Sequence, residues 1–203
     1  MSDHDKSTTS GSGERPIINI TGERVALGPL RRDLIPSYAR WRNDFAVQRT
    51  FGDPPRPVTL EQRATWFEEE TTSDAPSAHW FTIYELDPVR PIGTTDLFHV
   101  DHRYGTASFG MLIGEADARG RGLGTEVVRL MLDFAFTELG LNNIMLTVSE
   151  YNLAGRRAYE RAGFREFGRR RQADSIGGQR YDEVYMDCLA SEFEGRNSEG
   201  PPG

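Results

Sequence analysis

The sequence predicts an α/β protein: a single domain built on a mixed, mostly antiparallel central sheet flanked by helices. Three observations carry that reading. Strand-like runs at 80–86, 92–100 and 107–113 follow one another through short joins, Asp87-Pro88 and His102-Arg103-Tyr104-Gly105, which read as hairpin turns and so as antiparallel pairs. A strand–helix–strand unit begins at Ala107, and such a crossover makes the sheet mixed. The length, 203 residues with 37% hydrophobic and 27% charged, suits one domain with a full core and polar extensions.

In chain order, residues 1–15 are rich in Ser, Thr, Gly and charge and read as a disordered tail, as do 191–203; the domain is expected over 16–190. Residues 17–27 alternate as a first strand. Leu34, Ile35, Tyr38 and Trp41 have helical spacing within 31–42. Asp53-Pro54-Pro55-Arg56-Pro57 breaks the chain into a loop. A second helix covers 60–70, with Thr59 and Gln62 placed as a capping box. After the three strands comes a long helix whose apolar face holds Val128, Met131, Leu132, Ala135, Phe136 and Leu139. Leu123, Val127, Leu130 and Phe134 widen that face, so the helix lies on a sheet. Gly140 stops it. Ile144, Leu146 and Val148 alternate as a strand, Asn152 caps a third helix that ends at Gly163, and 164–170 and 181–189 complete the sheet. The order is βααβββαβαββ.

Composition narrows the function classes. A net charge of −7 disfavours nucleic acid on average and favours cationic small molecules. No run approaches the roughly 20 apolar residues that span a bilayer, and 1–14 lacks the apolar stretch of a signal peptide, so no membrane partner is expected. Cys188 is the only cysteine, which excludes an internal disulfide and a cysteine metal cluster and agrees with a cytoplasmic protein. No spacing suggests a metal site.

The richest local feature is Arg119-Gly120-Arg121-Gly122-Leu123-Gly124, between a strand and the long helix. A glycine turn feeding a helix N-terminus aims several backbone N–H groups at one point, and the helix dipole adds partial positive charge, so this is a seat for a phosphate or pyrophosphate. The spacing is wrong for a Walker A loop, which needs a lysine after the glycine, and for the G-x-G-x-x-G of a dinucleotide fold. An RG-type RNA segment belongs in a disordered tail, whereas this one abuts a buried helix. A plain turn needs less than two arginines and three alternate glycines; Arg119 and Arg121 are expected to add charge.

The partner segment is Asn152-Leu153-Ala154-Gly155-Arg156-Arg157-Ala158-Tyr159-Glu160-Arg161-Ala162-Gly163-Phe164. Asn152 and Tyr159 are seven apart and share one helix face. With both segments on the page, the chain resembles the GNAT superfamily of acetyl-CoA-dependent N-acetyltransferases. Arg119-x-x-Gly122-x-Gly124 is similar to the family's Q/R-x-x-G-x-G/A, and 152–164 to its N-x-x-A-x-x-x-Y-x-x-x-G-F. Gly155 stands where the family usually has alanine. Leu27-x-Pro29-Leu30, Arg40-Trp41-x-Asn43-Asp44, Pro91-Ile92-Gly93-Thr94 and 110–114 resemble the RimJ/RimL-like branch, which includes acetyltransferases of ribosomal proteins, spermidine and aminosugars.

The resemblance implies a GNAT-like domain splayed between its fourth and fifth strands, with acetyl-CoA as co-substrate and no metal. Arg121, Gly122, Leu123, Gly124 and Thr125, with Arg119 and Gly120, would cradle the CoA pyrophosphate. Met111, Leu112 and Ile113 would pair with the pantetheine arm as an added strand, one of their N–H groups polarising the thioester. Asn152 would hydrogen-bond that arm, with Gly155 leaving room for it. Arg156 and Arg157 would reach the adenosine phosphates or stay as solvated helix surface. Tyr159 would protonate the departing thiolate, an ordinary phenol still being protonated at neutral pH. The implied chemistry is direct attack by a primary amine, with Cys188 expected to be a buried thiol rather than a nucleophile. The acceptor is left open between a small cationic amine, an aminosugar and a protein N-terminus. The base is open as well: Thr147 stands near a glutamate of some family members, and Glu150, Asp96, His99 or a water chain are candidates. Trp41, Phe45, Phe51 and Trp66 either wall the amine pocket or form core, and the strands at Trp80 and Thr94 flank it. A homodimer is an expectation of the resemblance alone. A CoA-binding sensor that keeps the fold without turnover is the alternative function.

Overall fold

The computed structural model describes residues 15–50, 55–73 and 78–195. Of the tails expected at 1–15 and 191–203, residues 1–14 and 196–203 lie outside the described residues, as do Phe51, Asp53 and Pro54. Eight strands form one sheet: β1 (Ile20–Thr21), β2 (Val25–Gly28), β3 (Ala78–Leu86), β4 (Val89–Asp101), β5 (Thr106–Ile113), β6 (Asn143–Ser149), β7 (Arg165–Ile176) and β8 (Gln179–Leu189). Their spatial order is β1-β2-β3-β4-β5-β6-β8-β7. Every neighbouring pair is antiparallel except β5–β6. No described helix is long and apolar enough to cross a membrane.

Several boundaries differ from the sequence reading for physical reasons. The strand expected at 17–27 is two strands around a turn, because the Glu126 carboxylate accepts the backbone N–H groups of Glu23 at 2.7 Å and Arg24 at 2.8 Å. The first helix opens as a 3-10 turn at Arg32–Leu34 and becomes α1 (Ile35–Asn43), with Pro36 in its first turn, where a missing N–H costs nothing. A short α2 (Phe45–Gln48) was not expected; Asp44 caps it by accepting from the Ala46 N–H. α3 (Leu60–Thr72) starts at the expected capping box, with both reciprocal bonds formed. α4 (Leu123–Asp133) passes into a π-helical turn at Phe134–Glu138 before Gly140, at φ 63°, ends it. α5 (Leu153–Ala162) runs from Asn152 to Gly163 as expected. β7 and β8 are longer than 164–170 and 181–189. They meet at Gly177-Gly178, both at positive φ, a two-residue hairpin turn that glycine permits. β7 is largely exposed, so no apolar alternation marks it. At the other end Phe193 rests on Phe136, ring centroids 5.5 Å apart, so ordered chain continues past residue 190.

Two cores occupy the two faces of the sheet. Adjacent residues of β3 show the division: Ile83 packs in the α4-side core with Val127, Met131 and Leu132, while Thr82 Oγ1 meets the Tyr38 hydroxyl at 2.6 Å on the α1–α3 side. The latter core holds Tyr38, Trp41, Val47, Phe67 and Leu112. Each such buried side chain stabilises by about 1.5–3 kcal/mol, which is enough to fix α4 and the glycine turn that precedes it. β5 and β6 pair only from Thr106–Asn143 to Ser108–Met145 and then part. These are the fourth and fifth strands of the sequence reading, so the expected splay is present, and among the described residues the 109–113 segment has β4 as its only strand partner.

Candidate active site

A cavity of about 680 Å³ opens where β5 and β6 part, lined by residues from both faces of the sheet. On the α4 side, Gly120 (φ 72°) and Gly122 (φ 82°) turn the chain into α4, with Gly122 as the N-cap. Both conformations belong to glycine. The first-turn N–H groups of such a helix have no intrahelical acceptor and point outward together. A Cβ on Gly124 would touch Met111 Cε, so this turn abuts the end of β5.

Both arginines of the turn are engaged by carboxylates of the protein. The Arg119 guanidinium donates to the Ile113 carbonyl at 3.0 Å and the Gly114 carbonyl at 2.7 Å, and pairs with Asp44 at 3.2 Å, so it clamps the end of β5. Arg121 pairs with Glu85 at 2.6 Å. Together with Arg90, it holds the Glu85 carboxyl below the usual carboxylate range. A third cation reaches the turn: Arg24, which pairs with Glu126 at 3.3 Å. It donates to the Arg121 carbonyl at 3.0 Å, and its Nη2 lies nearest to where a Cβ on Gly122 would sit. Arg24 is 97 residues from Arg121, beyond the reach of any local motif.

Asn152 uses its side chain within the protein. Its Oδ1 accepts from the Gly155 N–H at 2.9 Å and its Nδ2 donates to the Thr50 carbonyl at 3.3 Å. A Cβ on Gly155 would strike that amide, so the space over Gly155 is filled by Asn152 rather than left for a ligand. Arg156 pairs with Glu166 at 3.4 Å, and Arg157 is exposed. Tyr159 is buried against Phe109 and Phe164, with centroids 6.1 and 6.0 Å away, and lines the cavity. Burial pushes its pKa up to about 12, so the phenol keeps its proton. Cys188 is fully buried outside the cavity lining, and burial pushes its thiol up to about 11, as an inert thiol requires.

On the α1–α3 side one candidate base stands out. Asp96 is 5% exposed and lines the cavity. A Cβ at Gly110, its partner across the β4–β5 ladder, would strike its Oδ1, so that glycine makes room for the carboxylate. Burial, with some help from the Glu70 carboxylate and against Arg42, pushes its pKa up to about 7. Glu150 does not line the cavity; it pairs with Arg169 at 3.1 Å. His99 and Thr147 reach the lining. Of the aromatic residues expected as walls, Trp66 lines the cavity, as do Trp80 and Thr94, whereas Trp41 is core at 1% exposure and donates to Glu115, and Phe45 is exposed. Tyr38, Arg42 and Arg63 also line it and carried no sequence signal, because they enter from helices distant in the chain.

Comparison with known proteins gives a consistent result. A family described as acetyltransferase (GNAT) domain matches residues 24–165. The probable N-acetyltransferase YjcK of Bacillus subtilis is 36% identical over 134 residues, covering 66% of this chain and 72% of that protein. The putative ribosomal N-acetyltransferase YdaF of the same organism is 32% identical over 103 residues, covering 51% of this chain and 56% of that protein. Among solved structures, spermidine N-acetyltransferase from Vibrio cholerae in complex with CoA and spermine superposes with a TM-score of 0.75. It is 21% identical, with 84% of this chain and 98% of that chain covered, and so bears on the fold.

Proposed function

We propose, for a chain that belongs to the acetyltransferase (GNAT) domain family, a complete assignment of roles around its cavity. The protein is an acetyl-CoA-dependent N-acetyltransferase that acts on an amine. The reading beyond that rests on one observation: Tyr159 and Asp96 enter the same cavity from opposite faces of the sheet, at the point where β5 and β6 separate.

CoA would lie in that opening. Its pyrophosphate would sit on the N–H groups of Gly122, Leu123, Gly124 and Thr125, with Gly120, Arg121 and Arg119 shaping the turn and Arg24 supplying charge. Its pantetheine arm would run along Met111, Leu112 and Ile113 as an added strand. Asn152 and Gly155 would position α5, and Arg157, exposed, would meet the adenosine end. Asp96, with a pKa near working pH, suits removal of the ammonium proton. The neutral nitrogen then attacks the thioester carbonyl, the C–S bond breaks, and sulfur takes the Tyr159 proton. The nitrogen loses its second proton as the amide forms, and the tyrosine regains one. A phenol at about 12 is a reluctant donor to a free thiolate, so its hydrogen bond to sulfur strengthens as charge develops there and the proton crosses only as the C–S bond breaks.

The cavity of about 680 Å³, lined by Trp66, Trp80 and Asp96, suits a small primary amine as acceptor. The RimJ/RimL-like placement, with a ribosomal acceptor, draws its support from the partial likeness to YdaF. A homodimer and a cytoplasmic location remain proposals, the first open to light scattering. The catalytic reading is tested by incubating the protein with acetyl-CoA and an amine panel and following free thiol. Tight CoA binding without thiol release from any amine would favour a sensor instead.

A further inference from the structure

Within the cavity, Arg63 is the cation without a partner. Its guanidinium makes no hydrogen bond or ion pair among the described residues, and its Nε is buried and unsatisfied. A guanidinium in a partly dry site is costly unless an anion meets it. Its one aromatic support is the face of Trp66, 3.7 Å from Cζ. That support fixes its position, because Trp66 stands edge-on to Trp80, centroids 5.0 Å apart, and to Tyr38 at 5.9 Å. Burial and the neighbouring cations Arg42 and Arg56 push Arg63 down to about 10, with Glu70 opposing. Even so, it stays charged at neutral pH.

The wall has a direction. Trp80 lies across the β3–β4 ladder from Asp96, so the sequence of groups along it is the Asp96 carboxylate, two indole rings and the Arg63 guanidinium. An acceptor that brings its nitrogen to Asp96 and its body past Trp80 and Trp66 presents its far end to Arg63. A polyamine would place a second ammonium there, against Arg63 with Arg42 beside it. The CoA phosphates have their own seat at the start of α4, whose turn residues are not part of this wall.

We infer that the acceptor is a small primary amine carrying an anionic group, carboxylate or phosphate, at the end away from its nitrogen, and that Arg63 binds that anion. This rests on the acetyl-transfer reading above. A charge-assisted hydrogen bond to a guanidinium is worth about tenfold to a hundredfold in affinity.

The test uses matched amines: 4-aminobutyrate, butylamine and 1,4-diaminobutane as one set, glucosamine 6-phosphate and glucosamine as the other. Two readouts are taken, kcat/KM from thiol release with acetyl-CoA, and calorimetric binding of each amine in the presence of CoA, where no acetyl group moves. The anionic member should exceed its neutral partner at least about tenfold in one set, which identifies carboxylate or phosphate, and should exceed the diamine by more. Arg63→Gln should erase that ratio through KM, Arg63→Lys should restore part of it, and Arg63→Glu should turn the preference toward the diamine. A diamine that equals or beats the anionic amines overturns the inference. So does an Arg63→Gln variant that weakens every amine equally or weakens CoA. Preferential binding without thiol release would sink the acetyl-transfer reading and leave this inference standing; thiol release without anion preference would do the reverse. No amine binding at all would overturn both.

Discussion

On the α4 side of the sheet, the residues assigned to the cofactor come mostly from two short stretches, 119–125 and 152–159. On the α1–α3 side, Tyr38, Arg63, Trp66, Trp80 and Asp96 come from four separate elements. The first side offers a ligand backbone geometry: positive-φ glycines, a helix start, an unpaired strand edge. The second offers side chains that meet only after folding. Backbone recognition needs particular residues at fixed local spacing and therefore leaves a motif. Side-chain recognition needs convergence in space and leaves none.

Substitutions can sharpen that contrast or break it. The largest effect is expected from Gly122→Val. A β-branched residue at φ 82° costs about 1–3 kcal/mol of strain and distorts the N–H seat, so CoA affinity should fall at least a hundredfold by calorimetry. Affinity within threefold of the parent would place the phosphate elsewhere.

Next comes Asp96→Asn, which should lower kcat by about 10²–10⁴ while CoA affinity holds. The parent's rate should climb with pH through about 7 as Asp96 ionises, and the variant should lose that limb. Stability should move in the opposite sense. A carboxyl whose native pKa lies above its unfolded value binds more protons when folded, so stability falls as pH rises from about 4 past 7. The Asn variant should therefore gain up to a few kcal/mol at pH 8, at about 1.4 kcal/mol per pH unit between the two pKa values, and little at pH 4. Equal stability curves for the two proteins would refute a protonated, buried Asp96.

Tyr159→Phe ranks third, with kcat down about tenfold to a hundredfold and CoA affinity nearly intact; an affinity loss of similar size would make Tyr159 a packing residue. The smallest effect is expected from Glu126→Gln. It weakens the acceptor for the Glu23 and Arg24 N–H groups, so melting should drop by a few degrees, about 1 kcal/mol, and CoA affinity should fall slightly as Arg24 loosens. An unchanged melting curve would show that the β1–β2 turn holds without that carboxylate.

What could be read from the chain alone was whatever is written in neighbouring residues. Hairpin turns at Asp87-Pro88 and 102–105, the capping box at Thr59, the all-round apolar helix at α4 and the αL stop at Gly163 each act over a few positions, and each is in place. The glycine turn and the Tyr159 helix belong to the same class, which is why the family was recognisable before any coordinates. The misreadings share the opposite cause. The split of the first strand depends on Glu126, and the pairing of Arg119 and Arg121 depends on Asp44 and Glu85. The filling of Gly155 depends on how Asn152 turns back to cap its helix. Arg24 reaches the glycine turn from 97 residues away, and Asp96 is set apart as a candidate base only by its burial and the bare Gly110 beside it. Local geometry is encoded by spacing, so sequence determined the fold class and the glycine turn that opens α4. Which charges are paired, buried or left facing a cavity is decided by contacts across dozens of residues, and for this protein only the tertiary structure could show it.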